Sequence, residues 1–415
     1  MRRRALPAHD GSTFPRTRED AALRTQVVII GAGPAGLLLG HVLHRAGIGF
    51  TILEARSREH VLGRIRAGVL EQGSVDALTE LGLDADLREH GLTHRGIHLQ
   101  FEGARRHIDF VDLVGRTVTI YGQQALVRHL LAEHERLGSD IRFELADVTP
   151  LGLDGSSPRV RATDAGRAIE LDADLVVGAD GFHGVCRPAI PGLRGLERSY
   201  PFGWLGILAD VPPSTDDLVY ALHPDGFAMH SMRSPEVSRL YLQVGHDASI
   251  DDWSDARIWD ALQTRLGVAG WTLHEGEVLE KSITPMRSYV ASTMAHGRLF
   301  LVGDAAHIVP PTGAKGLNSA IADVVLLGRA IVAGLLRGDD AGLHGYGDAA
   351  LARQWKVQQF SEWMTDLLHV HEGPDAAARE FAYRSQVGRL EYVTGSRAAR
   401  QSLAEQYAGL PFTTE

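Results

Sequence analysis

Gln26-Val-Val-Ile-Ile30-Gly31-Ala-Gly33-Pro-Ala-Gly36 decides the fold. Val27–Ile30 is β-branched and apolar without alternation, the pattern of a parallel strand buried on both faces. The run ends in G-x-G-x-x-G, and Leu37–Arg45 continues with helical spacing until Gly47. Phe50–Leu53 is a second apolar strand closed by Glu54, eighteen residues past Gly36. A strand, a glycine turn, a helix and a strand in this order open a doubly wound α/β domain. Glycines permit the tight turn and the close approach of a pyrophosphate, which the free N–H groups of the helix start stabilise. An acid at Glu54 accepts from ribose hydroxyls. This much fits FAD and NAD equally.

Two further apolar runs end in acidic turns: Leu175-Val-Val-Gly-Ala-Asp180-Gly181 and Leu299-Phe-Leu-Val-Gly303-Asp304. Each alone is an ordinary turn at a strand end. Between them, Ser199–Gly245 is rich in aromatic and β-branched residues and broken by Pro212-Pro213, Pro224-Asp225-Gly226 and Ser234-Pro235, so short antiparallel strands are expected. The chain from Trp355 onward reads as helix. The first domain is therefore discontinuous, with a sheet-rich unit inserted.

Composition narrows the function classes. The 415 residues carry 42 basic and 52 acidic side chains, a net charge of −10, which excludes a general nucleic-acid-binding surface. Cys186 is the sole cysteine, so the chain forms no internal disulfide and suits a reducing, cytoplasmic setting. Residues 1–25, with Arg2–Arg4, lack the apolar core of a secretory signal and read as a flexible tail. Ala320–Leu336 is interrupted by Asp323 and Arg329, which favours a buried helix over a membrane span. No membrane and no metal are expected, and His129 and His134 are placed on a wet helix face.

The three glycine–acid motifs in this order, with Pro310-Pro-Thr-Gly-Ala-Lys-Gly-Leu-Asn318, resemble the fingerprints of the FAD-dependent aromatic hydroxylases, the group A flavoprotein monooxygenases. Gly63-Arg64-Ile-Arg66, Val118-Thr-Ile-Tyr-Gly-Gln123 and Tyr200-Pro-Phe-Gly-Trp-Leu-Gly206 extend the likeness to the branch that acts on 4-hydroxybenzoate, from Gln26 to Pro411. The resemblance implies a Rossmann-like, discontinuous FAD-binding domain (26–97, 123–198 and 284–370), an inserted substrate-binding sheet domain (98–122 and 199–283) and a helical C-terminal segment (371–415). It implies FAD, NAD(P)H and O2, ring hydroxylation to 3,4-dihydroxybenzoate through a flavin C4a-hydroperoxide, and a homodimer with a small aromatic acid as its partner.

It also assigns residues. FAD falls to Gly31, Gly33, Ala35, Gly36, Glu54, Arg64, Arg66, Gln123, Asp180, Arg239, Asp304, Gly316, Leu317 and Asn318. The start of the helix that follows Pro311–Asn318 would stabilise negative charge on the reduced flavin. The substrate carboxylate falls to Ser231, Arg233 and Tyr241. Ser231 and Arg233 are two apart and would share a strand face, and an inward Arg is costly without an anion. The phenol end falls to Tyr220, Tyr407 and His94 as a proton relay, with the Pro311 carbonyl aimed at the substrate hydroxyl. A phenol near pKa ~10 is a poor electron donor until deprotonated.

Arg64, Arg66, His183 and Arg287 match the family's positions for the nicotinamide nucleotide. One departure matters. Glu54 is followed by Ala55, and His60 stands near a position where the family's NADPH-selecting helix carries Tyr, so NADH use is expected, with Arg56 and Arg58 the only compensating cations. The rival expectations are another para-substituted benzoate, such as the 4-amino compound, and a flavin-binding protein without turnover.

Overall fold

The computed structural model describes residues 23–64 and 68–412. Its nucleotide side is a six-stranded sheet in the spatial order Ala295–His296, Leu299–Leu301, Leu175–Gly178, Val27–Ile30, Phe50–Leu53 and Asp140–Arg142. All neighbours run parallel except the first pair. Val27–Ile30 lies inside this sheet with each residue buried. Burying each such side chain contributes roughly 1.5–3 kcal/mol, which is why an unalternating apolar run settles in the sheet interior. The three glycine–acid motifs sit at the C-terminal ends of three neighbouring strands, where open α/β sheets bind ligands.

The helix Gly316–Arg337 is long and apolar enough to cross a membrane by composition, yet it is mostly buried here. It packs on the helix Pro34–Arg45 and on Ala341–Leu368, and Asp323 within it is 2% exposed. It is a core helix.

The second large sheet has eight strands in the order His307–Ile308, Glu277–Ala291, Gly195–Asp210, Val237–Gly245, Ala228–Met232, Leu218–Ala221, Gly96–Phe101 and Ala104–Asp109. Its two faces cover different cores. Val219, Ala221, Leu240 and Leu242 pack with the helix Asp255–Leu266, whereas Leu218, Tyr220, Trp204 and Met229 pack with the C-terminal helices Ala376–Gly395 and Arg397–Ala408. The period-two alternation of the strand Leu218–Ala221 thus aims Tyr220 at the C-terminal helices.

Several expected limits shift. The borders placed at 198/199 and 283/284 fall inside the strands Gly195–Asp210 and Glu277–Ala291, which pair with each other through most of their lengths. The first of these has 16 residues, so the inserted unit is not built of short strands alone. Val118–Ile120 leaves the substrate sheet and forms a three-stranded sheet with Val69–Glu71 and Leu92–His94. The tail expected through residue 25 stops earlier, because Leu23–Arg24 pairs in parallel with Leu171–Asp172 in a four-stranded sheet. Residues 1–22 lie outside the described residues.

Candidate active site

The nucleotide end is shaped by backbone. Gly31 has φ +110°, and a Cβ there would come within 2.3 Å of the Ala179 carbonyl oxygen. A Cβ on Gly36 would lie 2.0 Å from the Gly31 carbonyl oxygen, so strand, turn and helix close on one another only as glycines. Gly33 is different: a Cβ there meets nothing within 4 Å. It is the N-cap of Pro34–Arg45 and supplies no side-chain cap, so the helix start keeps free N–H groups toward open space. Ala35 is buried beside the Gly303 turn. Glu54 accepts from Ala32 N at 2.7 Å and Arg56 N at 2.8 Å, which fixes its carboxylate at the loop.

Asp180 accepts from Cys186 N at 2.9 Å through Oδ2, while Oδ1 is buried with no hydrogen-bond partner among the described residues. Burial raises its pKa, opposed by hydrogen bonds from the Cys186 turn. Asp304 lies in the 3-10 turn Gly303–Ala305. Asp323 holds that turn: its Oδ2 accepts from Gly303 N at 2.9 Å and pairs with His307 Nε2 at 2.7 Å. At the start of Gly316–Arg337, a Cβ on Gly316 would meet nothing within 4 Å, and no side chain caps the helix. Leu317 is half-buried there.

Asn318 is held by its side chain. Its side chain donates to the carbonyls of Val69 and Ala314, both at 2.8 Å, and accepts from Glu71 N at 2.9 Å and Ser74 Oγ at 2.7 Å. The amide is fully committed to the protein, so only backbone can face a flavin at this position. Gln123 is half-buried at the start of Gln123–Leu137, and Arg64 is exposed just after the helix Arg58–Gly63. Arg66 lies outside the described residues.

At the opposite end, Arg233 sits one residue past the strand Ala228–Met232, in a turn where its N–H donates to the Val237 carbonyl at 2.8 Å. That bond continues the register that pairs Ser231 with Arg239 and Met232 with Ser238, so Arg233 follows Ser231 by one period at the hairpin end of the strand. Its guanidinium lies close against the Gly122 backbone: a Cβ there would fall 1.9 Å from Nη1. Its recorded hydrogen bond is a long 3.4 Å contact from Nη2 to Gln124 Oε1, and no carboxylate pairs with it among the described residues. Burial lowers its pKa, and the nearby Arg239 adds to this.

Arg239 pairs in register with Ser231, stands 5.4 Å from the Tyr241 ring centre, and has a buried Nη1 without a hydrogen-bond partner. Ser231 is buried, with Oγ making only a 3.4 Å contact to its neighbour's carbonyl. Tyr241 packs on Trp204 with ring centres 4.6 Å apart. Two guanidiniums with unfilled donors, a free hydroxyl and a phenol thus meet where an anion would satisfy them.

Tyr220 and Tyr407 come from elements 187 residues apart, yet their hydroxyls meet at 2.6 Å. Each ring is 1% exposed, and burial raises both pKa values above that of an ordinary phenol. His94 is also buried, but no hydrogen bond joins it to Tyr407 among the described residues. Its Nδ1 instead faces Asp217 Oδ1 at 3.4 Å. Pro311 is exposed, and its carbonyl accepts from Ala314 N at 2.9 Å, so one lone pair is engaged in the turn. His183 is exposed with its ring edge-on to Phe182, and Arg287 covers Phe182 at 3.8 Å.

Several residues escaped the sequence. His369 accepts from Trp204 Nε1 at 2.6 Å and donates from Nδ1 to Thr365 O at 2.9 Å. It is stacked between Phe202 and Phe227 (centres 4.6 and 4.5 Å away), and burial pushes its pKa down to about 3. Buried Lys315 pairs with Glu71 and donates to the carbonyls of Gln406 and Tyr407. Nothing in local spacing marks either residue, because their partners are distant in sequence. His134 is not on a wet face: it is 1% exposed and bonds Leu37 O at 2.8 Å and Ser139 Oγ at 2.9 Å. His129 is half-buried.

Residues 24–361 match the FAD binding domain family. The chain belongs to that family, within the FAD-dependent aromatic hydroxylases, monooxygenases that use NAD(P)H and O2. Among its relatives is the p-hydroxybenzoate hydroxylase of Acinetobacter baylyi, 44% identical over 394 residues that span 94% of this chain and 96% of the relative. The 3-amino-4-hydroxybenzoate 2-monooxygenase of Streptomyces cremeus is 25% identical over 87% of this chain and 92% of its own length. The crystal structure of p-nitrophenol 4-monooxygenase from Pseudomonas putida superposes with a TM-score of 0.79 over 93% of this chain and 99% of its own at 19% identity, a likeness of fold.

Proposed function

We propose that this protein hydroxylates 4-hydroxybenzoate at the ring carbon beside the hydroxyl, giving 3,4-dihydroxybenzoate. The observation that carries the reading is the pair of complementary ends on one side of the eight-stranded sheet. A partly buried guanidinium with no carboxylate partner among the described residues lies at Arg233, and two buried phenols share a 2.6 Å hydrogen bond at Tyr220 and Tyr407. A benzoate with a para hydroxyl satisfies both. The 44% identity to an enzyme named for that acid supports the same substrate.

Arg233, Ser231 and Tyr241 grip the carboxylate, and Trp204 backs Tyr241. Tyr220 accepts the phenolic proton as Tyr407 takes the one it gives up, and the path continues through water to His94. The Pro311 carbonyl orients the substrate hydroxyl through its remaining lone pair. Burial of both tyrosines disfavours their charged forms, so they pass a proton without holding a charge.

The open face at Gly33, the unfilled Oδ1 of Asp180 and the open start at Gly316 fit FAD. Gly31, Gly33, Ala35, Gly36 and Glu54 would hold its adenosine diphosphate half, with Asp180, Asp304, Gln123 and Arg64 along the chain between its two halves. Backbone at Gly316–Asn318 would hold the ring system, with Arg239 near it. When bound and reduced, FAD supplies the activated oxygen that the phenolate attacks.

His183 and Arg287 flank Phe182 and would receive the nicotinamide nucleotide with Arg64 and Arg66. NADH is the preferred donor in this reading, since Ala55 follows Glu54 and His60 stands near the Tyr position of the NADPH-selecting helix, while Arg58 pairs with Glu135 at the surface. A cytoplasmic homodimer completes the proposal, supported by the exposed Phe381 (76%) and Tyr392 (68%), three helical turns apart on Ala376–Gly395.

Anaerobic reduction by NADH, with and without 4-hydroxybenzoate, followed by product analysis after air is admitted, tests the proposal. Faster flavin bleaching with the acid and recovery of 3,4-dihydroxybenzoate are expected. Stronger stimulation and product from 4-aminobenzoate would shift the substrate, and flavin binding without turnover would refute the proposal.

A further inference from the structure

His94 ends the proposed relay, yet it is not at the surface. Its side chain is 2% exposed, and its buried Nδ1 makes no hydrogen bond within the described residues. That nitrogen faces Asp217 Oδ1 at 3.4 Å, while Asp217 Oδ2 lies 2.9 Å from His107 Nε2. Side-chain exposure rises along this line, from 2% at His94 to 15% at Asp217 and 34% at His107. The histidines come from different strands, Leu92–His94 and Ala104–Asp109. Asp217 directly precedes the strand Leu218–Ala221 that carries Tyr220.

We infer that Asp217 is the counter-ion that makes His94 a usable proton acceptor, with His107 holding the other oxygen of the same carboxylate. This rests on the relay reading above. An imidazole sealed from water resists protonation, and a carboxylate a few ångströms from its Nδ1 opposes that penalty while fixing which nitrogen is turned away toward the path. Consistent with this, burial lowers the His94 pKa and Asp217 is the leading opposing influence, followed by Asp216. The proton leaving the substrate hydroxyl bonds to the imidazole at Nε2 and departs from there to water, so only O–H and N–H bonds change.

The other charged groups around Asp217 set its availability. His98 lies beside His107 with ring centres 4.7 Å apart, and its pKa is lowered to about 4 by burial, with His107 and Arg105 adding to the effect. Arg105 is directed to Gln100 Oε1, and His230 is held by Ser214 N and Thr215 Oγ1 in the turn preceding Asp217. His107 is the most exposed of the histidines contacting Asp217. His94 and His107 thus share the one carboxylate, on Oδ1 and Oδ2.

Asp217→Asn is isosteric and keeps a polar contact to His107 while removing the charge. The FAD-loaded enzyme is compared as wild type, Asp217→Asn, His94→Asn and the double variant, reading kcat, KM for 4-hydroxybenzoate and the pH profile of kcat. Asp217→Asn is expected to lower kcat about tenfold at unchanged KM, the equivalent of about one pKa unit on the acceptor. In the His94→Asn background the same change should have no effect, because Asp217 acts through His94. Asp217→Glu should recover part of the loss. Wild-type kcat in Asp217→Asn beside a crippled His94→Asn would overturn the counter-ion while leaving the relay standing. So would an equal loss from Asp217→Asn in both backgrounds, which marks a merely structural residue. Unaltered turnover in His94→Asn would refute the relay itself, and the counter-ion with it.

Discussion

Replacing Arg233 with alanine removes the guanidinium that the proposal sets against the substrate carboxylate. Two charge-assisted hydrogen bonds from a guanidinium fork are worth about 1.5–3 kcal/mol each. Arg233 is only partly buried, so solvent screening reduces their sum to about 2–4 kcal/mol, or roughly 30- to 1000-fold in Kd. The nearby Arg239 sets the lower end of that range, since its unfilled Nη1 can take over part of the anion. Titrating the FAD-loaded enzyme with 4-hydroxybenzoate and following the flavin absorbance gives the constant directly. 4-Methylphenol, which lacks the carboxylate, serves as the control ligand and should bind both forms alike. Gly122→Ala should reproduce the weakening without touching the arginine, because its Cβ would fall 1.9 Å from Nη1 and displace the guanidinium. An unchanged Kd for the acid, or an equal loss for 4-methylphenol, would refute the reasoning.

Gly33→Ala should fold normally but hold FAD more weakly, whereas Gly31→Ala should destabilise the apoprotein itself, with φ +110° and a contact at 2.3 Å; denaturant unfolding and flavin retention separate the two. Tyr220→Phe breaks the 2.6 Å link to Tyr407, so NAD(P)H oxidation should continue while more peroxide and less hydroxylated product appear; equal coupling in the variant would remove Tyr220 from the path. Buried His369 and His230 take up protons in the folded chain only near 3 and 4, whereas the unfolded chain does so near 6.5. Stability is therefore full above about pH 6.5 and falls progressively with pH toward 3, and His369→Gln should lower that slope by about one proton in urea melts. Finally, kcat/KM with NADH should exceed that with NADPH, and a tenfold preference for NADPH would reverse the reading of Ala55 and His60.

What the sequence made legible follows from where each constraint lives. Val27–Ile30, the glycine turn and Glu54 act on one another within thirty residues, so local spacing carries their geometry. The Tyr220–Tyr407 and Arg233–Tyr241 groupings were reachable only through family resemblance, since sheet register and the return of the last helix bring them together. Resemblance carried identities but not what each atom does. It named Asn318, whose amide is in fact consumed by Val69, Glu71, Ser74 and Ala314. It named His94 without its carboxylate at Asp217. A helical pattern likewise leaves His134 looking like a surface residue, because the strand and helix that cover it lie elsewhere in the chain.

Lys315 has a consequence for the integrity of the whole molecule. Its ammonium is sealed among Glu71 and the carbonyls of Gln406 and Tyr407, so the loop that opens the helix Gly316–Arg337 is fastened to the helix Arg397–Ala408, about ninety residues on. A chain cut before residue 406 would strand a positive charge in the interior with one anchor instead of three. Loss of the turns that hold Gln406 and Tyr407 would thus loosen the loop that precedes Gly316, and that segment can set only after residue 407 has been made.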